Sequence, residues 1–181
     1  NMTCIVAYER DGKVWMGGDS AGVAGYSISA RGDPKVFING DYMIGFTSSF
    51  RMGQLLHYKL KPSSCPDDDI ERHMSTTFID EVRAVFKDNG ILKTDNGEES
   101  CGTFLVATRG RIFVVESDFQ LGWNRVPYDA VGCGKDLALG VMHGLHKQAH
   151  LSPKEIVLTA LEGAEEFSAG VCGPFNIMSQ G

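Results

Sequence analysis

The chain has 181 residues, of which 43% are apolar and 22% charged, with a formal charge of −6. That is the make-up of an ordinary globular protein. The acidic balance excludes a nucleic-acid surface, which needs clustered Lys and Arg, and no apolar run approaches the length of a membrane span. No basic-then-apolar leader opens the sequence, so a cytosolic protein is expected.

The first half reads as a strand meander. Residues 3–8 are rich in β-formers, "RDGK" is a turn, and 13–17 resume the strand. A loop or irregular strand covers "AGVAGYSISARGDP", followed by "KVFI", the turn "NGD" and "YMIGFTS". Asn39-Gly40 between two apolar runs marks a hairpin, with positive φ expected at both central residues. From residue 48 the period becomes helical: Met52, Leu55, Leu56 and Leu60 recur, and Pro62 stops the segment.

Three aspartates at 67–69, read as a solvated helix start, precede Ile70, Met74, Phe78, Val82 and Val85, an amphipathic helix ending near Asn89-Gly90. The polar stretch 91–101 reads as a loop. "TFLVAT" and "IFVVES" are strands about the turn "RGR", and further apolar stretches follow at 119–124 and 129–132. A helix with Leu137, Val141, Met142 and Leu145 on one face comes next. "SPKE" at 152–155 then opens another, with a Ser N-cap, Pro at the first position and a Glu placed for a capping box. "FNIMS" closes the chain as a strand. Strands, helices, strands, helices and a last strand, with no linker, predict one layered α+β domain over 1–181.

The chemistry is concentrated near the N-terminus. If Met2 is removed, Thr3 carries a hydroxyl nucleophile and an α-amine on adjacent atoms. An unperturbed α-amine titrates at about pH 7.7–8.0, so it serves as general base near neutrality, directly or through a water. A lysine beside the hydroxyl would lower both pKa values, and an acid would hold that lysine charged and in place. Asp19 follows Thr3 by sixteen residues, at the end of the second strand, and Lys35 follows Asp19 by sixteen more. The strand-to-helix turn "GFTSSF" at 45–50 offers free backbone N–H groups for an oxyanion hole, at Ser48 and Ser49.

"MTCIVAYERDGKVWMGGDSAG…DPKVF…YMIGFTSSF" resembles the β-type subunits of the proteasome and most closely the bacterial HslV-type peptidases, which are N-terminal nucleophile hydrolases. "AVGCG" before a helix and the late "EEFSAG" extend the resemblance over nearly the whole chain, and no α-subunit-type helical extension precedes the first strand. The resemblance implies a four-layer αββα sandwich, with Thr3 as nucleophile, Lys35 as its pKa modulator and Asp19 as the lysine's partner. Three departures stand out. Ser48-Ser49 occupy a place the family usually gives to Gly-Gly. Cys133 replaces a Ser that contacts the N-terminal amine, and Glu165-x-x-Ser168 replaces an Asp-x-x-Ser.

The function so implied is a threonine endopeptidase working inside a homo-oligomeric ring on unfolded chains or peptides. It would need no metal or organic cofactor, and by analogy it would work with an ATP-dependent unfoldase. Two alternatives keep the fold: a small-molecule amide hydrolase, and an inactive relative that only builds a shell. Other groups read as structural. The five cysteines form no C-x-x-C pair, Cys4 should face away from Thr3 into the core, and His143, His146 and His150 suit a solvated helix face better than a metal site. Residues 1–2 read as the remnant of a tag or as a prosegment.

Overall fold

The computed structural model describes residues 2–181; the reading of Asn1 as part of a tag or prosegment lies outside the described residues. Strands β1 (Cys4–Arg10) and β2 (Lys13–Gly18) form the hairpin expected around "RDGK". β12 (Tyr128–Gly132) pairs with the other side of β1, and β13 (Asn176–Gln180) with the other side of β2, so the first sheet runs β12-β1-β2-β13, antiparallel throughout. The second sheet contains β5 (Val36–Asn39), β6 (Tyr42–Phe46), β9 (Phe104–Thr108), β10 (Arg111–Val115) and β11 (Leu121–Gly122), in the order β11-β10-β9-β6-β5.

Strand alternation decides what each face meets. On β1, Cys4, Val6 and Tyr8 pack with Ala138 and Met142 of α4 (Lys135–Leu145) and with Ile156, Val157, Ala160, Leu161 and Ala164 of α5 (Pro153–Phe167). The intervening Ile5 and Ala7 turn the other way and join Met16, Val36, Met43, Leu105, Ala107 and Val131 in a core shared by the two sheets. The second sheet's other face, with Ile44, Phe46, Phe104, Val106, Phe113 and Val115, packs on helical residues from 50 to 88. These belong to α1 (Phe50–Gln54) with its π-helical continuation Leu55–Lys59, α2 (Ile70–His73), the π-helical turn Met74–Phe78 and α3 (Ile79–Asp88). Because α5 must bury a continuous stripe, its start is firmly fixed: Ser152 and Glu155 cap it reciprocally, with Pro153 at the first turn.

Several segments differ from the sequence reading. The stretch 21–34 contains a regular hairpin, β3 (Ala21–Ala24) with β4 (Ser27–Ala30). The polar stretch 91–101 holds another, β7 (Lys93–Asp95) with β8 (Glu98–Ser100), closed by Asn96 and Gly97, both at positive φ. Both hairpins are largely exposed, so no apolar alternation marks them. At the β5–β6 turn Asn39 pairs with Tyr42, leaving Gly40 and Asp41 as the central residues, and only Gly40 takes positive φ (59°). The aspartates at 67–69 are exposed at the start of α2, as expected, and two of them form surface ion pairs: Asp67 with Arg109 at 3.1 Å and Asp69 with Arg72 at 2.6 Å. No helix among the described residues is long and apolar enough to cross a membrane.

The close approach of the two sheets depends on Gly45. A Cβ there would overlap Ile5 Cγ2 and lie 2.9 Å from Met16 Sδ, both in the facing sheet. Gly45→Val is therefore expected to destabilise the fold by about 1–3 kcal/mol through overpacking, read as a lower urea midpoint with an unchanged m-value.

Candidate active site

The site lies where β1 begins, β2 ends and β5 begins. β2 runs to Gly18, and the chain then places Asp19 beneath the start of β1, fully buried. One carboxylate oxygen, Oδ1, accepts the Cys4 N–H at 3.1 Å and Lys35 Nζ at 2.9 Å. The other, Oδ2, accepts the Ala21 N–H at 3.0 Å and the Cys172 N–H at 3.4 Å. An ionised carboxylate is tolerated inside a protein when its lone pairs are used in this way. Asp19 thus ties together the first strand, the segment after β2 and the segment before β13.

Lys35 precedes β5 and is only 2% exposed. Its ammonium donates to Asp19, to Thr3 Oγ1 in a short contact, and to the Met2 carbonyl at 3.4 Å. All three donors of the lysine therefore have acceptors. Its charge also lies 5.6 Å from the centre of the Phe50 ring, on whose face Arg31 stacks at 3.7 Å. The three residues singled out by spacing, Thr3, Asp19 and Lys35, are brought into one buried chain of contacts.

On the other side of Thr3, its N–H donates to Cys133 Sγ at 3.3 Å, and the Thr3 carbonyl accepts the Gly134 N–H at 3.3 Å and the Cys133 thiol at 3.4 Å. Ser168 Oγ lies 3.6 Å from Cys133 Sγ. Gly132 makes this approach geometrically possible: its φ is +100°, and a Cβ there would overlap the Thr3 carbonyl oxygen. Glu165 does not join this cluster. It accepts the Gly173 N–H at 2.7 Å, bracing the segment whose neighbour Cys172 reaches Asp19. Ser20 holds the same segment, donating its N–H to Cys172 O at 2.8 Å and its hydroxyl to Pro174 O at 2.5 Å.

The turn expected to supply the oxyanion hole is only partly free. Ser49 donates its N–H to Thr47 O at 2.8 Å, and its side chain caps α1 by accepting from Arg51 and Met52 N–H groups. This corrects the expectation that both amides are available, because the turn uses one internally. Ser48, at φ +72°, donates its N–H to no acceptor among the described residues. Its side chain accepts the Thr103 N–H at 3.2 Å and lies 3.0 Å from Thr47 Oγ1, which holds a left-handed conformation that a serine seldom adopts.

Cys4 is a core residue. Burial, reinforced by the Asp19 charge, pushes its thiol up to about 12, so it stays protonated beside the site. Burial and Asp19 raise the Cys172 thiol as well. His143 Nδ1 lies 2.9 Å from the Tyr128 hydroxyl, and α4 ends at Leu145, so His150 is not on its face. Among the described residues no group of three or more His, Cys, Asp or Glu side chains is placed to hold a metal ion. The roles of Cys172, Ser20 and Gly132 were not read from the sequence; the only local signals are the glycines in "VGCG" and "AGVCG".

The Asp19–Lys35 pair yields a stability prediction. Removing one partner of a buried ion pair leaves an uncompensated charge at a cost of about 3–5 kcal/mol. Asp19→Ala should therefore lower the unfolding free energy by that order, and adding Lys35→Met should recover part of the loss in the same denaturant titration.

No protein-family model matches the chain, and no curated protein matches it in sequence. Solved structures do. BPH from Thiobacillus denitrificans in complex with epoxomicin superposes with a TM-score of 0.83 at 17% identity, covering 98% of each chain. A second structure of Thiobacillus denitrificans BPH also gives 0.83, at 18% identity over 98% of this chain and 97% of that one. A eukaryotic HslV from Trypanosoma brucei gives 0.71 at 17% identity over 98% of both chains. At these identities the likeness speaks for the backbone: this chain has the mixed α/β, proteasome-like fold of HslV.

Proposed function

We propose that the chain is a threonine endopeptidase of the N-terminal nucleophile type, with Thr3 as nucleophile, Lys35 and Asp19 as its electrostatic support, and Ser48 as oxyanion donor. One observation carries this reading: a single buried ammonium, Lys35 Nζ, contacts both Thr3 Oγ1 and the carboxylate of Asp19. A fold has no need of a lysine aimed at a threonine hydroxyl, whereas a nucleophile does, because the nearby positive charge favours the developing alkoxide. The likeness to a structure that binds epoxomicin supports the same reading.

With Met2 removed, the Thr3 α-amine takes the hydroxyl proton, directly or through a water, and Oγ attacks the peptide carbonyl carbon. The tetrahedral oxyanion is met by the Ser48 N–H. The ammonium so formed gives its proton to the leaving nitrogen as the C–N bond breaks, leaving an ester on Thr3. A water molecule, deprotonated by the same amine, attacks the ester, and the acid product departs as Oγ regains its proton. Cys133 accepts from Thr3 N in the present chain and is placed to hold the freed amine, with Ser168 behind it. Glu165 supports the site through the 170–174 segment.

The same reading takes 1–181 as one hydrolase domain stacked as four layers in the order αββα. In it the chain assembles as a homo-oligomeric ring in the cytoplasm, acting on unfolded chains or peptides delivered by an ATP-dependent unfoldase. The contacts of the two helical groups and the core between the sheets support the layering. The chemistry as written draws on no metal or organic cofactor.

The test begins with intact mass to establish that Thr3 is the first residue. Thr3→Ala should then lower hydrolysis of small peptide amides by roughly a thousandfold or more and abolish covalent labelling by epoxomicin. Labelling that persists in Thr3→Ala would refute the role of Thr3. A correctly processed protein with neither activity nor labelling would identify an inactive shell-forming relative.

A further inference from the structure

Between the two sheets, at the end where Thr3 lies, the packing leaves a cavity of about 450 Å3 whose lining includes Thr47, Glu116, Asp129, Gly132, Cys133 and Lys135. Its position relative to the nucleophile is defined. Gly132 packs on the Thr3 carbonyl, and Cys133 Sγ accepts the Thr3 N–H. The cavity therefore opens on the amine side of Thr3.

Strand alternation aims two carboxylates into it. On β12, Val131 belongs to the core between the sheets, so Asp129, two residues earlier, faces the same way. On β10, Ile112 and Val114 pack against that core, and Glu116 continues their row. Asp129 is 8% exposed, yet among the described residues its carboxylate accepts only the Ala130 N–H, at 2.8 Å on Oδ1. Among the described residues no ion pair reaches either oxygen, and Oδ2 stays open to the solvent of the cavity rather than sealed in the packing. Burial pushes the Asp129 carboxyl up, with Glu116 adding to the rise; the Ala130 N–H, Lys135 and Asn124 act against it. The lining thus sets two carboxylates, Asp129 and Glu116, against the one ammonium of Lys135. A cationic side chain entering the cavity would even this charge and meet the open carboxylate oxygen by a charge-assisted hydrogen bond.

We propose that this cavity is a leaving-side subsite that takes the basic side chain, Lys or Arg, of the residue immediately after the scissile bond. The side follows from the proton path. The nitrogen that leaves must receive its proton from the Thr3 amine, so the leaving half of the substrate lies on the amine side, where Cys133 forms one wall. The charge follows from Asp129 and Glu116, and a long side chain suits a cavity of this size, roughly in the range of small-ligand pockets. The inference rests on the peptidase reading above and deepens it.

The test compares internally quenched peptides that differ only after the scissile bond (Arg, norleucine or Glu), with the cut position verified by mass, using protein in which Thr3 is the first residue. The Arg peptide should exceed the norleucine peptide in kcat/KM by about tenfold, as for a charged hydrogen bond, and the Glu peptide should fall below both. Asp129→Asn, whose amide oxygen keeps the Ala130 bond, and Glu116→Gln should each shrink the Arg-to-norleucine ratio towards one. The Glu116 carboxylate accepts no hydrogen bond among the described residues, so the second variant keeps the test open if the first misfolds. Equal cleavage of the Arg and norleucine peptides overturns the subsite while leaving the peptidase reading standing. If no peptide is cut, the peptidase reading fails. The cavity is then judged by binding of the same peptides to Thr3→Ala, where tighter Arg binding supports it and equal affinity overturns it.

Discussion

The whole arrangement depends on one buried ion pair. Asp19 is fully enclosed and Lys35 nearly so, and neither charge is tolerable there alone. Satisfying them draws in amide groups from three separate stretches: the head of β1, the turn after β2 and the segment before β13. The pair is therefore also a register device. Any slip of β1 against β2 would move the Cys4 N–H away from Asp19 and strand both charges. Once the pair is formed, the lysine's remaining donors have only Thr3 Oγ1 and the Met2 carbonyl to meet. Stability and proposed reactivity thus rest on the same contacts.

The fold was legible wherever an element is built on buried apolar residues. β1, β6 and β9 stand out as short apolar runs buried on both faces, α4 and α5 show a helical period, and the Ser152 capping box fixed the start of α5 to the residue. The two hairpins 21–30 and 93–100 were not read, because exposed strands carry no apolar alternation. Asn96-Gly97 was nonetheless a turn signal in plain view. The triad of Thr3, Asp19 and Lys35 was legible through spacing and family resemblance together. The contributions of Cys172 and Ser20 were not, because they act through backbone groups on a loop whose path no side-chain pattern announces. Ser48 and Ser49 show the same limit. Their place at a strand-to-helix turn suggests two free amides, but the turn consumes one of them in a bond from the Ser49 N–H to Thr47 O.

Sequence identities of 17–18% to structures that superpose over 98% of this chain show how little of the fold is held by particular side chains. What must be kept is volume and direction: small at Gly45, where the sheets meet, and absent at Gly132, where Thr3 passes. Around such fixed points a serine can stand in the left-handed place at 48 if its hydroxyl finds Thr103, and a thiol can stand at 133 if it still reaches Thr3.

Segments that lead into a sheet ordinarily fray when the strand they enter lies at its edge. Here the strand that follows Thr3 directly is not an edge: β1 lies between β12 and β2, with α4 and α5 against one face. Thr3, which leads straight into that strand, is thus anchored as firmly as the centre of the sheet, and opening it locally would mean disrupting two ladders at once. A nucleophile of the proposed kind, once freed as a chain end, would normally lose orientational freedom only on meeting its substrate. In this topology that entropy is surrendered during folding, before any substrate arrives.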